Sequence, residues 1–338
     1  MEDTIFFLLK VHLYIDRIPS YIPGTMTTNK PPRLKKGDTI GIVAPASAPS
    51  TTAKIETGIA YLEKMGYRVK PGKHVHEVSG YLAGSDSHRA EDINTMFADP
   101  DVKAIIAVRG GYGAPRILDL IDYDVIRKHP KIFVGYSDCT ALHGAFLRHA
   151  GLVSFAGPMV AVDMFEGIDP FTEENFWRLL TDPSDHTVLR NPPGHEWQTI
   201  HGGICEGTLV GGNLSVFLSL WGSPYTPSLR DTVLLLEEID EKTYRIDRMF
   251  AQLKHACVFQ RINGLVLGSF TGCEPIEPDK PSLTLNQVFS DYLAPLSLPV
   301  VSNFAHGHTS PKLTIPIGLR VRLDTRRGDI ELLESPVA

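Results

Sequence analysis

The sequence has little cysteine, little excess charge and no long apolar run. Its four cysteines, at 139, 205, 257 and 273, are spread through 338 residues. No two form a CxxC pair and no histidines cluster at zinc-finger spacing, so a zinc module is not expected. So sparse a set fits a reducing compartment better than a disulfide scaffold. The formal net charge of −6 gives no electrostatic basis for binding nucleic acid. No stretch reaches the roughly 18 apolar residues of a membrane span. The run Ile5 to Leu9 is cut by Lys10 and preceded by Glu2 and Asp3, unlike the basic start of a signal peptide. Residues 1–30 read as an extension outside the fold, with Met26 as an alternative start. There is no internal repeat.

What is present is an ordinary globular composition, 43% hydrophobic and 21% charged. At roughly 100–200 residues per domain, the length predicts two domains. In residues 31–165, apolar runs alternate with helical patterns. Strands are expected at Thr39–Ala44, Tyr67–Val69, Val102–Val108 and Lys131–Tyr136. Helices are expected at Ala53–Met65, Ser87–Phe97 (capped by Asp86 or Ser87), Ala114–Leu120 and Asp138–His149. That alternation implies an α/β fold with a parallel sheet covered by helices on both faces. Residues 166–205 are rich in Pro, Asp and Gly and read as a linker with one helix near Glu173–Leu180. Residues 206–338 are strand-richer. Strands at Val233–Leu236, Gly264–Leu267, Pro299–Val301 and Arg320–Leu323, with a helix at Tyr244–Ala256, predict a second, smaller α/β domain.

Four segments could carry chemistry. Gly135-Tyr136-Ser137-Asp138-Cys139 joins a buried strand to a helix. Serine there stands in a tight turn at a strand's carboxyl end and at a helix N-terminus, as in a nucleophile elbow. Cys139 departs from GxSxG, and Ser137 or Asp138 could equally be a plain helix cap. Arg109-Gly110-Gly111-Tyr112-Gly113 is a glycine turn that suits an oxyanion hole or a phosphate cradle, or simply a strand-to-helix turn. It completes neither GxGxxG nor a P-loop. Glu237, Glu238, Asp240 and Glu241 follow an apolar run; they could orient a histidine, hold a metal or be solvated. His306 and His308 lie in a glycine-containing loop as a base, as metal ligands or as polar loop residues. Together these segments give a serine, an acid and a histidine in chain order, an order that is permitted but not diagnostic.

The same segments resemble the LD-carboxypeptidase family (peptidase family S66), which includes murein tetrapeptide carboxypeptidases and microcin C immunity peptidases. The matching runs are GDTIGIVAPAS (37–47), RGGYGAPRILDLIDY (109–123), FVGYSDCTALH (133–143), GTLVGGNLSVF (207–217), LLLEEIDEKTYRIDRM (234–249) and HGHTSPKLTIPIG (306–318). The resemblance implies Ser137 as nucleophile, Glu237 as triad acid and His308 as base, with the Gly111 and Asp138 N–H groups forming the oxyanion hole. It implies a class I glutamine amidotransferase/flavodoxin-like N-terminal domain carrying the serine, and a smaller C-terminal swivelling domain carrying Glu237 and His308. Asn213 and Arg109 are candidate substrate contacts; the alternative for Asn213 is a buried turn amide. Arg245 and Arg248 could hold a carboxylate or pair with Glu241 and Asp247. The implied activity is a serine carboxypeptidase that removes the terminal D-alanine of murein tetrapeptide in peptidoglycan recycling. The implied partner is a small peptide, with no metal, cofactor, nucleic acid or membrane; the protein is expected to be cytoplasmic and homodimeric. Three alternatives stand beside it. A microcin-type peptidase would need an aromatic shelf, for which Trp197 is the candidate. A non-catalytic sugar or nucleotide binder could use the same scaffold. A metallohydrolase would use His306, His308 and Glu237 or Glu238.

Overall fold

The computed structural model describes residues 28–184, 187–275 and 281–338. Most of the predicted N-terminal extension therefore lies outside the described residues. Its last part does not: the Asn29 N–H donates to Gly151 O at 2.8 Å and its carbonyl accepts from Val153 N at 3.0 Å.

Two sheets organise the chain. The first has six strands, in the order Ile315–Ile317, Ser154–Ala156, Ile132–Val134, Val102–Ala107, Thr39–Val43 and Arg68–Pro71. All neighbours are parallel except Ile315–Ile317, which runs antiparallel to Ser154–Ala156. The central strands are buried almost without interruption because helices cover both faces. The helices Ala53–Lys64, Asp86–Ala98 and Thr140–Ala150 agree with the expected positions to within a residue or two. Two details differ. The N-cap of Asp86–Ala98 is Ser85, whose side chain accepts from His88 N at 3.2 Å, and neither Asp86 nor Ser87. Ala114–Leu120 is a 3-10 helix; the turn follows Gly113 and has a proline near its start.

The second sheet has eight strands: Val188–Leu189, Asp329–Leu332, Arg320–Asp324, Ile204–Asn213, Thr232–Ile239, Gly264–Thr271, Val300–Ser302 and Gln198–His201. Its centre is parallel and its two flanks antiparallel. By strand count it is the larger sheet, because short strands that the polar composition hid join its edges. Two of those come from the stretch read as a linker. That stretch also holds the helix Pro170–Thr181, which buries Phe176 and Trp177, with Trp177 stacked on Tyr67 at 5.0 Å. Residues 166–205 are thus built into both halves of the fold. The segment 206–338 is not self-contained either, since its Ile315–Ile317 completes the first sheet. One apolar cluster runs from Ile40 and Phe133 of the first sheet to Leu235 and Val266 of the second. The two sheets are thereby held with the ends of their central strands close together.

Candidate active site

Ser137 follows the strand Ile132–Val134 and opens a 3-10 turn, Ser137–Cys139, that leads into the helix Thr140–Ala150. Its φ is +61°, a left-handed conformation that a serine adopts at a cost of about 1–3 kcal/mol. A simple N-cap needs no such strain, because cap residues sit in the β region. The close turn is allowed by Gly135, where an added Cβ would lie 2.7 Å from the Cys139 sulfur. Cys139 itself is fully buried and fills the space under the elbow.

The glycine turn lies against this serine. A Cβ on Gly110 would stand 2.8 Å from Ser137 Cβ, 3.0 Å from its Oγ and 3.2 Å from Asp138 N. Gly111, at φ +105°, makes room for Ser47, whose hydroxyl accepts from Tyr112 N at 3.1 Å. Among the described residues no acceptor is bonded to the N–H of Gly111 or of Asp138. The Asp138 carboxylate is buried and accepts from Ala114 N at 2.7 Å, fastening the glycine turn to the elbow. Burial pushes its pKa up to about 6. Arg109 is half-buried; its Nη1 reaches Ala48 O at 3.4 Å and its buried Nε has no partner. It forms no ion pair among the described residues.

The strand Thr232–Ile239 runs straight through both adjacent acids. Alternation along a strand sends neighbouring side chains to opposite faces. Glu237 turns toward the histidine loop, where its Oε2 lies 2.8 Å from His308 Nδ1. Glu238 turns the other way, accepting from Asn213 Nδ2 at 2.6 Å and Ser215 N at 2.8 Å. Burial raises the pKa of Glu238. Asn213 Oδ1 accepts from Val216 N and Ser215 Oγ, so its whole amide serves the turn, as in the alternative weighed for it. Gly307, at φ +114°, lets the histidine loop cross close to Glu237, since a Cβ there would be 2.6 Å from Oε2.

His308 meets the first sheet at Tyr136, the residue before Ser137: the rings are edge-on, 5.1 Å apart. No hydrogen bond joins Ser137 Oγ to His308 among the described contacts. Tyr136 is held in turn by Lys312, whose buried ammonium donates to the Tyr136 hydroxyl at 3.0 Å and to Asp163 Oδ1 at 2.8 Å. Burial alone would lower the Lys312 pKa, but Asp163 and Tyr136 outweigh it and raise it. A cleft of about 330 Å³ opens beside His308, with Tyr136, Asp163, Glu166, Asp169 and Lys312 in its wall. Tyr136, Gly307 and Lys312 are site residues that the sequence reading did not single out. All three lie inside the motifs quoted above, Tyr136 beside Ser137 and Gly307 and Lys312 in the run 306–318, but only the fold brings Lys312 to Tyr136.

The other predicted groups lie elsewhere. His306 is buried with Nδ1 2.9 Å from Leu313 O, and burial pushes its pKa down to about 4. It does not gather with His308 and a glutamate into a set of neighbouring ligand atoms; among the described residues one His/Glu triplet does, and it is a different one. Arg245 pairs with Glu241 at 3.2 Å and Arg248 lies over the Tyr244 ring, as the bland alternative expected for Arg245.

Residues 40–157 match the profile of the LD-carboxypeptidase N-terminal domain, and residues 206–323 that of its C-terminal domain. The chain belongs to the LD-carboxypeptidase family. Among its relatives is a probable murein peptide carboxypeptidase of Bacillus subtilis, 41% identical over 89% of this chain and 94% of that one. A solved muramoyltetrapeptide carboxypeptidase from Oxalobacter formigenes is 32% identical, with a TM-score of 0.76 over 87% of this chain and 97% of that one. The microcin C7 self-immunity protein of Escherichia coli is 28% identical over 89% of this chain and 95% of that one. A microcin C7 self-immunity protein, solved in complex with aspartyl sulfamoyl adenosine, superposes with a TM-score of 0.84 at 26% identity, covering 92% of this chain and 100% of that one. The two sheets are thus those of family members. No described helix is long and apolar enough to cross a membrane.

Proposed function

We propose that this chain is a serine carboxypeptidase that removes the terminal D-alanine from murein tetrapeptide. The observation that carries the reading is the pairing of His308 with buried Glu237, set edge-on against the residue that precedes a strained Ser137. His308 Nε2 takes the Ser137 proton as the hydroxyl attacks the scissile carbonyl, and later gives it to the departing amine. Glu237 accepts the Nδ1 proton, which sets the tautomer and stabilises the imidazolium. Serine-to-histidine contacts often tighten only with substrate bound, so the open contact here is compatible with this role. The N–H groups of Gly111 and Asp138 take the oxyanion, each such donor being worth about 2.7–4 kcal/mol. Water then releases the acyl-enzyme.

A carboxypeptidase must also recognise a free carboxylate. Arg109, adjacent to Gly110 and without an acid partner, is the group we assign to it. Asn213 acts in this reading through the turn it caps, holding Glu238 away from the site. The division into residues 31–165 and 206–338 stays as a functional one, with the nucleophile on one part and the acid and base on the other. A homodimeric, cytoplasmic enzyme of peptidoglycan recycling completes the proposal.

The test is mass spectrometry of L-Ala-γ-D-Glu-meso-diaminopimelyl-D-Ala incubated with wild type and Ser137→Ala, with chelator present. Loss of one alanine in the wild type alone is expected. Equal cleavage by both proteins would end the serine mechanism. No cleavage by either would remove the murein substrate and turn attention to peptidyl-nucleotides. That second reading has less support here, because Trp197, its candidate shelf, packs on Phe304 at 6.4 Å and is not in the wall of the cleft beside His308.

A further inference from the structure

Away from Ser137, a second cluster of reactive side chains forms where the segment after the strand Arg68–Pro71 meets the helix Asp86–Ala98. His74 Nδ1 lies 2.7 Å from Glu77 Oε1, and His88 Nδ1 lies 2.8 Å from Glu77 Oε2. The donor atoms of the three residues all fall within 4.8 Å of one another. We propose that His74, Glu77 and His88 bind a divalent ion of the zinc class, which clamps the 74–85 segment onto the first turns of the helix.

Three observations support an ion rather than hydrogen bonds alone. First, His74 Nε2 lies 3.2 Å from Glu91 Oε2. A proton on Nε2 satisfies that contact and leaves the Nδ1 lone pair facing an anionic oxygen. A cation between them resolves the conflict, and a carboxylate on the outer ring nitrogen is the usual companion of a metal-bound histidine. Second, the His74 and His88 rings stack with centroids 3.9 Å apart and 13° between planes. Protonating both rings would place two like charges in contact, whereas one divalent ion supplies the same charge from a single centre. Third, Glu77, Glu91 and the buried Asp92 bring three carboxylates to the cluster, where Lys73 contacts only Glu91, at 3.4 Å.

The framework is already built. Asp92 Oδ2 accepts from His74 N at 3.0 Å and fixes that backbone. Gly84, at φ +90°, leaves space for Glu77, since a Cβ there would be 2.5 Å from Oε2. The buried His74 is held on both nitrogens, and half-exposed His88 supplies the rotation that aims both Nδ1 atoms at one point. Two imidazoles and one carboxylate select zinc-class ions over magnesium or calcium, and water fills the remaining position. The clamp bears on the active site. Ala83 N donates to Ala46 O at 2.9 Å, and the Tyr81 ring packs edge-on to Tyr112, next to Gly111, at 5.6 Å.

The test is zinc binding by the full chain after chelator stripping, counted by equilibrium dialysis at micromolar zinc. One ion per chain is expected, together with a higher Tm. His88→Gln keeps a hydrogen-bonding side chain at an accessible position; it should weaken binding at least tenfold and abolish the zinc-dependent Tm shift. Wild type that stays zinc-free at micromolar zinc overturns the proposal and leaves a proton shared among these groups. So does a His88→Gln chain that binds as tightly as wild type, which would locate the ion elsewhere. Cobalt-loaded wild type reads the ligands without any substitution: paramagnetically shifted ring signals from two histidines are expected, and fewer than two overturn the assignment.

Discussion

His308 Nδ1 lies 2.8 Å from Glu237 Oε2, a contact between the loop after Val300–Ser302 and the carboxyl-terminal half of a buried strand. Its Glu237 side is inaccessible, so the carboxylate has no water to replace the imidazole. Glu237→Gln should therefore leave the fold intact and present the wrong hydrogen-bonding partner to Nδ1. Activity should fall by roughly a thousand- to ten-thousand-fold, as when a triad acid is neutralised elsewhere. Ser137→Ala and His308→Ala should be at least as severe, and the triple variant little worse than either. Steady-state kinetics on the tetrapeptide measure this. Additive losses would mean that the three side chains do not act as a unit.

Gly307 should be as sensitive as a triad residue although it does no chemistry. Alanine there faces a φ of +114° and a Cβ 2.6 Å from Glu237 Oε2 and 2.6 Å from Ser269 Oγ. The loop must move, and the His308–Glu237 contact opens with it. Gly307→Ala is expected to cost about 1–3 kcal/mol of stability through overpacking and to lower kcat far more than KM. Urea denaturation and kinetics on the same preparation separate the two effects. A stable variant with normal kcat would show that the loop has slack.

The elbow was legible because everything that makes it is local: an apolar strand, Gly135 two residues before Ser137, and a helix straight after. The acid was legible only as one of four. Which of Glu237 and Glu238 faces the histidine depends on the strand continuing to Ile239, and alternation then separates them. The apolar signal stops at Leu236, so the strand was read short. Ile315–Ile317 gave no hint of its place in the first sheet, because three residues pair with Ser154–Ala156 at a separation only the fold creates. Residues 166–205 looked like a linker by composition. Yet Phe176 and Trp177, adjacent on one short helix, anchor it against Tyr67. His74 and Glu77 stand three residues apart and His88 eleven further on, a spacing that matches none of the motifs weighed in the sequence.

Arg109 offers a direct measure of exopeptidase character. Its guanidinium has an unpaired buried Nε and, among the described residues, no carboxylate partner, a costly arrangement unless a substrate anion completes it. A charge-assisted bond to that anion is worth about 1.5–3 kcal/mol. Arg109→Gln should lower kcat/KM on the free tetrapeptide by roughly ten- to a hundredfold, mostly through KM. On a substrate ending in D-alaninamide the variant and wild type should be nearly equal. An equal loss on both substrates would assign Arg109 to holding the glycine turn instead.

Acid should destabilise the protein well above the ordinary carboxylate range. His143 and His306 are both fully buried and neutral, with burial pushing each down to about 4 from an ordinary value of 6.5. His143 bridges Ser154 Oγ at 2.8 Å and Gly135 O at 2.7 Å, so it also ties the elbow to the neighbouring strand. In the unfolded chain each takes up a proton near pH 6.5, while the folded chain resists to about 4. The unfolded state binds more protons throughout that window, so stability falls as pH drops through it. Asp138 works in the opposite sense. Its folded value is raised to about 6, so its contribution is present below the unfolded carboxylate value and lost as pH rises through 6. Glu238 and Asp92, also raised by burial, act with Asp138, and His149, lowered by burial, acts with the two histidines; His143 and His306 carry the largest displacements and set a net loss of stability between pH 6.5 and 4. Urea midpoints at pH 7.5 and pH 5 should show it, with His143→Gln flattening the slope as it removes one titrating group. A midpoint independent of pH over that range would mean that at least one of these imidazoles is already protonated in the folded protein.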